Sequence, residues 1–413
     1  MRQFPGLLLA AALAFAPGEV TAAGRYDALF EAVWSTVNEN FYDPSMRGVD
    51  WAETGRRYRA RLAGVQDDAA FQQLIKQMLA ELRVSHLYLS APAKSPGRRI
   101  GLGARFEPVE GRQTVVEVAP LSDARRQGLR VGDQLVGEPA ALAGPPGTRA
   151  DVQVIGCDGK RRRLSVRREA AFWPPAHPGW TWSQLSPEPG VSLGYIRIDR
   201  FDDGAAELAD QAMAELGKTR GLIIDLRNSS GGNISALRLA SYFGKPGPAV
   251  ALYTRQSLKG IGRAPTLRDI EAGPKVVGAY TTAAVFKAVS DNGGAAVFHT
   301  EAVPGVTYSG KVVVLIGPET GSAAEGFGWA MRWTGRATFM GRRTAAALLS
   351  GESFPLEGGW TLTVPVHGLW GPKGEDLGDK AVEPDVAAAP SRAALCEGRD
   401  AELEAAQDLL TRP

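Results

Sequence analysis

Residues 311–325 read KVVVLIGPETGSAAE. A run of β-branched and apolar residues of strand length ends at Gly317-Pro318. After a short turn, Ser322-Ala323-Ala324-Glu325 opens a helical pattern that runs to Trp333. Residues 221–232, GLIIDLRNSSGG, repeat the arrangement: an apolar strand over 221–226, a turn carrying two glycines, and a helix expected over 233–243. Further strands are expected at 193–198 and 337–340, with a helix at 205–216. Strand and helix patterns in alternation predict an α/β core with a partly parallel sheet.

Outward from this core the chain changes character. Residues 25–82 carry apolar positions at helical spacing, first Leu29, Phe30, Val33, Trp34 and Val37, then Phe71, Leu74, Ile75, Met78 and Leu79. Tyr42-Asp43-Pro44 breaks the first helix, because proline disfavours helix in the residue before it. A helical cap is expected over 24–95. A joint rich in Pro, Gly and Lys follows at 92–97, and then short alternating strands at 114–118, 151–156 and 161–166. Between the first two lie a short helix over 121–127 and the turn Gly128-Leu129-Arg130-Val131-Gly132-Asp133-Gln134-Leu135. This makes a small β domain over 98–170. The core is expected over 171–392. Within it, 173–190 is rich in Pro and Trp and reads as an extended connector, while 256–310 shows no clean pattern and reads as an insertion with a mobile loop. A helical tail closes the chain at 393–413.

The 413 residues suffice for two or three domains, and 47 basic against 45 acidic residues give a net charge of +2. No basic stripe with interleaved aromatics appears, which argues against nucleic acid as a partner. Arg2, the short apolar run 7–16 and Val20-Thr21-Ala22 have the three parts of a secretory leader, so 1–23 is expected to be removed. The run is too short to span a bilayer, which needs about 20 residues. The expected location is the periplasm or the exterior, with a membrane as partner only if the leader stays uncleaved. Cys157 and Cys396 are free to pair in such a compartment, but their separation leaves two free thiols equally open. Neither sits at metal-ligand spacing, and no metal or organic cofactor is implied.

Ser322 stands at a helix start, beside free backbone N–H groups and the positive end of the helix dipole, where an alkoxide and its oxyanion are favoured. With Glu325 three residues on, it is also a capping box, a common helix-start device. Gly231 and Gly232 let backbone approach a ligand closely, and equally suit a plain tight turn. A serine nucleophile needs a base near neutrality. The four histidines are His86, His177, His299 and His367. His177 lies in the Pro-rich connector and His299 in the insertion. The residues alone leave His86 and His367 both open.

The segments, taken together, resemble the C-terminal processing (tail-specific) serine peptidases and their tricorn-like relatives. The markers are Gly194-Tyr195-Ile196-Arg197-Ile198, residues 221–232 and 308–325, and Val382-Glu383-Pro384-Asp385-Val386. The β domain resembles a PDZ domain through Gly101-Leu102-Gly103, residues 120–128 and the Gly132-Asp133-Gln134-Leu135 turn. The resemblance implies a ClpP/crotonase-like α/β core with a helical cap and an inserted PDZ-like domain. It implies Ser322 as nucleophile, with the oxyanion held by the amide of Ala323 and one from Gly231 or Gly232. The processing branch uses a lysine base, and here that position falls on Ala347, followed by no substitute but the arginines upstream. The tricorn-like branch carries an adjacent Ser-His pair, matched by Ser85-His86, with His86 as base and Ser85 orienting it. The family glutamate aligns with Gly378, so Glu375, Asp376 and Asp379 are the substitutes considered. The implied partner is a polypeptide, engaged through its C-terminus by the PDZ-like domain, and self-association is left open. A binding protein for peptides or small apolar ligands on the same scaffold is the competing expectation.

Overall fold

The computed structural model describes residues 22–92, 100–137, 142–170, 179–303 and 307–412. Residues 1–21 of the expected leader and His177 therefore lie outside the described residues, while the last two leader residues open the first helix. Three helices, Ala22–Asn40, Trp51–Arg59 and Asp68–Ala80, form the cap. The side chains of Asp50 and Asp67 accept the N–H of Glu53 (2.9 Å) and Ala70 (2.7 Å), which fixes where the second and third begin. The apolar positions expected from helical spacing are buried against one another, among them Phe30, Val33, Val37, Phe71, Ile75 and Met78.

The β unit is a five-stranded antiparallel sheet in consecutive order: Ala104–Val109, Arg112–Val118, Gln134–Val136, Arg149–Ile155 and Arg161–Arg167. Its own small core contains Leu102, Val115, Leu129, Val152, Val154 and Val166. The helix read from 121–127 is a single turn, Asp123–Arg126, started by the Ser122 hydroxyl. Cys157, in the turn between the last two strands, is disulfide-bonded to Cys396 near the C-terminus.

The core holds two six-stranded sheets. One runs Val386–Ala387, Thr338–Gly341, Lys311–Ile316, Gly221–Asp225, Leu193–Ile198 and Trp180–Leu185, parallel except at the last pair. Gly221–Asp225 is buried at every residue and Lys311–Ile316 at all but its first, as central parallel strands covered on both faces must be. The tail helix Ala401–Thr411 covers one face with Ala406 and Leu410. Part of the Pro- and Trp-rich connector is extended, as expected, and pairs as an edge strand with Leu193–Ile198.

The second sheet orders Tyr88–Ser90, Thr361–Trp370, Pro248–Thr254, Ala295–His299 and Lys275–Val276, with Ser350–Pro355 also paired to Thr361–Trp370. The patternless insertion is thus built of defined pieces. Its helices Arg255–Ile261, Leu267–Ala272 and Thr282–Asp291 are too short to show a period, yet each begins at a threonine, Thr254, Thr266 and Thr281. Those caps are the signal that periodicity could not supply.

Candidate active site

The strand Lys311–Ile316 ends in a turn knotted by Thr320, whose hydroxyl donates to the Leu226 carbonyl (2.7 Å) and accepts the Gly317 N–H (2.9 Å). Gly321 N–H donates to Ser229 O at 3.0 Å, tying this turn to the glycine-bearing one. Ser322 then takes φ +53°, ψ −126°, and the helix Ala323–Thr334 begins. That backbone region costs a non-glycine residue about 1–3 kcal/mol and persists only where its surroundings enforce it. The enforcement is visible. A Cβ on Gly231 would lie 2.5 Å from the Ser322 Cβ and 2.7 Å from Gly321 O, and one on Gly232 would lie 2.1 Å from Phe201 O. Both positions therefore need glycine, at φ +99° and +132°.

The same packing leaves N–H groups beside the serine turn without a protein acceptor among the described residues. Phe201 N–H donates to Gly231 O and Asn233 N–H to Phe201 O, each at 2.7 Å, so Gly232 directs its own N–H away from Phe201. Ala323 is the first residue of its helix, where backbone N–H groups lack helical acceptors. Among the described residues no acceptor takes the N–H of Ala323, Gly231 or Gly232.

Glu325 is wholly buried and holds more than the cap. Its carboxylate accepts the Ser322 N–H at 3.2 Å, the Ala346 and Ala347 N–H groups at 2.8 and 2.7 Å, and the Thr344 hydroxyl at 2.5 Å. Burial pushes its pKa up, while these four donors pull it down. The loop it grips includes Ala347, whose methyl lies 3.8 Å from where a Gly321 Cβ would be. The structure thus sets position 347 beside the serine turn and gives it no base. Arg342 and Arg343 pair instead with Glu107 and Glu383.

His86 follows the third cap helix and precedes Tyr88–Ser90, at φ +57°. Its Nδ1 lies 3.1 Å from Ser85 Oγ. Burial alone pushes its pKa down. His86 and Ser322 line one cavity of about 240 Å³ with Gly232, Ala323 and Ser350, between apolar walls that include Leu237, Leu252, Phe286, Phe327 and Leu349. No direct hydrogen bond joins the two side chains. His367 is buried in Thr361–Trp370, outside that lining, with Nδ1 3.2 Å from Ser350 Oγ. His299 ends a strand, where burial and then Lys275 lower its pKa. Of the two open histidines, only His86 shares the cavity with Ser322.

The substitute carboxylates need correcting. Asp379 and Asp376 lie 2.7 and 3.6 Å from Arg47 of the cap, and Glu375 accepts the Lys373 N–H within its own turn. None lines the cavity, and no carboxylate hydrogen-bonds His86. A cation on the cap pairs with the two aspartates, an event no local motif announces. Sequence reasoning also missed Ser350 and the cavity walls. They come from separate segments meeting in space, and nothing in their spacing marks them.

Comparison with known proteins supplies the context for this geometry. Residues 192–388 match the model of peptidase family S41, and residues 25–80 match the tricorn protease C1 domain. A putative tricorn protease homolog 2 of Streptomyces coelicolor is 28% identical over 251 residues, 53% of this chain but 21% of that protein. The chain therefore spans about a fifth of that relative. A carboxyl-terminal-processing protease of Synechocystis is 24% identical over 409 residues, covering 92% of this chain and 85% of that one. The solved structure of mature CPAF complexed with lactacystin superposes with a TM-score of 0.66 at 15% identity, over 93% of this chain and 97% of that one. At that identity the likeness speaks for the fold.

Proposed function

From the premise that this chain belongs to peptidase family S41 and is a hydrolase, we propose that it cleaves exported or misfolded polypeptides through an acyl-enzyme on Ser322. The observation that carries this is the strained Ser322 turn, packed on Gly231 and sharing a cavity with His86. With Nδ1–H donating to Ser85, His86 presents the Nε2 lone pair as general base. It takes the Ser322 Oγ proton as Oγ bonds to the substrate carbonyl carbon. The oxyanion that forms is held by the N–H of Ala323 and of Gly231 or Gly232. His86 returns the proton to the leaving amine, and water releases the acyl group by the same steps in reverse.

In this proposal the five-stranded unit is PDZ-like and takes a polypeptide C-terminus along its edge strand Ala104–Val109, adding it to the sheet. The leader at 1–23 would deliver the enzyme to the periplasm or beyond, where the Cys157–Cys396 bond is stable. The test is labelling by a fluorophosphonate together with peptide hydrolysis. Wild-type protein is expected to do both and Ser322→Ala neither, with loss of at least about a thousandfold in rate. An unlabelled wild type that binds small apolar ligands would instead favour a binding role. That second reading rests on the apolar cavity and on a His86 without a carboxylate.

A further inference from the structure

The strand Ser350–Pro355 pairs with Thr361–Trp370 in regular antiparallel register except at its first step, where the register shifts between Ser350 and Gly351. Bulges of this kind re-aim side chains, and they concentrate beside active sites. Two consequences follow here. Gly351 comes so close to the base that a Cβ on it would stand 3.1 Å from the His86 Cβ. Ser350 lines the cavity, while its hydroxyl stays 3.2 Å from His367 Nδ1. His367 is itself 5% exposed and packs its ring 5.4 Å from that of Phe286, another cavity wall. Ser350 is therefore held from behind by a buried imidazole and opens onto a space otherwise walled largely by leucine, valine and phenylalanine.

From this geometry we infer that Ser350, oriented by His367, is a specificity-determining hydroxyl that selects substrate residues with a large apolar body and a hydrogen-bonding tip, tyrosine above phenylalanine. The inference rests on the peptidase reading of Ser322 and names what the cavity beside it accepts. A cavity of about 240 Å³ admits an aromatic side chain. A few placed polar groups in an apolar pocket set which ligand is taken. Burial pushes the His367 pKa down to about 4, so the ring is neutral at pH 7 and its proton stays available to the Ser350 pair. Once an apolar ligand fills the cavity, the Ser350 hydroxyl has either the ligand tip as partner or none in that direction, and an unmet buried group is costly. His367 is a positioning residue and Ser350 the contact.

The experiment uses two peptides that differ only in tyrosine or phenylalanine at the residue whose carbonyl is cleaved. A hydrogen bond worth about 1.4 kcal/mol corresponds to a tenfold ratio. Wild-type kcat/KM is expected to favour the tyrosine peptide by about that factor, Ser350→Ala to bring the ratio to about one, and Ser350→Thr to keep it above one. Equal turnover of the two peptides by wild type would overturn the inference. So would a Ser350→Ala protein that keeps the ratio or slows both peptides alike. The same pair is also titrated onto the Ser322→Ala protein, where preference is read as a ratio of Kd values without chemistry. If the nucleophile assignment fails but the binding ratio holds, the subsite stands alone; if neither peptide shows preference in binding, the subsite fails whatever Ser322 does.

Discussion

Replacing both Cys157 and Cys396 by serine should remove the covalent link between the β unit and the C-terminal tail. Their separation of 239 residues makes this the closure of a very long loop. Chain-entropy arithmetic for a loop of that size gives about 5.5 kcal/mol of stabilisation at 25 °C, an upper figure because it assumes an unstructured denatured chain. Docking itself should weaken less. Arg392 donates through its side chain to the carbonyls of Gly132 (3.1 Å), Gly156 (2.7 Å) and Ile155 (3.3 Å), and its N–H to Glu110 Oε1 (3.1 Å). Those bonds need no sulfur. The expected result is a clear drop in the urea midpoint of the double variant, together with faster hydrogen exchange in the strands of the β unit and little change in Gly221–Asp225. Gly132→Ala should act in the same direction, since its Cβ would stand 2.6 Å from both sulfurs at a φ of +87°. Titration of two free thiols in unreduced protein would refute the pairing. An unchanged midpoint and exchange pattern would refute the role assigned to it.

Glu325→Gln should cost about 3 kcal/mol, the scale of hydrogen bonds to a charged group, because an amide N–H₂ would face N–H donors. Thermal unfolding checks the stability, and steady-state kinetics should show the loss in kcat rather than KM, since Ser322 moves and the cavity walls do not. His367, held near pKa 4 when folded against 6.5 as its ordinary value, binds its proton more tightly unfolded. Stability is therefore unaffected above about pH 6.5 and falls as pH drops from there through 4, the loss reaching about 3 kcal/mol at pH 4 by linkage. A His367→Phe protein, followed by urea unfolding from pH 7 to 4, should lack that slope. Ser85→Asp should place a carboxylate on His86 Nδ1, raise its pKa and move the acid limb of kcat/KM upward by about one unit. In the wild type that limb should lie below 6.5, since burial lowers the His86 pKa; a limb indifferent to Ser85→Asp would mean another base.

The α/β layer was legible because its central strands are continuous apolar runs and its turns carry Gly-Pro and Gly-Gly signals. Lys311–Ile316 and Gly221–Asp225 needed only local rules. The first and third cap helices were equally plain, since one face of each repeats at helical spacing. What stayed hidden was fixed by distant partners. Asp376 and Asp379 look like catalytic substitutes along the chain until Arg47 of the cap claims them. The pairing of Cys157 with Cys396 depends on the tail returning to the β unit across the core. Ser350 reads as an ordinary strand residue, because a bulge leaves no mark in composition.

In the proposed mechanism histidine rather than lysine serves as base, and the surroundings of Ser322 support that reading. Position 347 stands beside the Ser322 turn, and its N–H is one of three backbone donors, with one hydroxyl, that the carboxylate of Glu325 accepts. With alanine at that position the turn keeps its geometry and offers no base of its own. In the proposal His86, which lines the same cavity, supplies the base, and burial lowers its pKa and so favours the neutral imidazole. Neutrality is what a base needs before the reaction, whereas a carboxylate on Nδ1 would help only once the imidazolium has formed. Under the proposed mechanism the arrangement would exchange stabilisation of the charged intermediate for a base that remains ready at lower pH. In the same proposal Ser85, a neutral partner 3.1 Å from Nδ1, orients the ring without disturbing that balance.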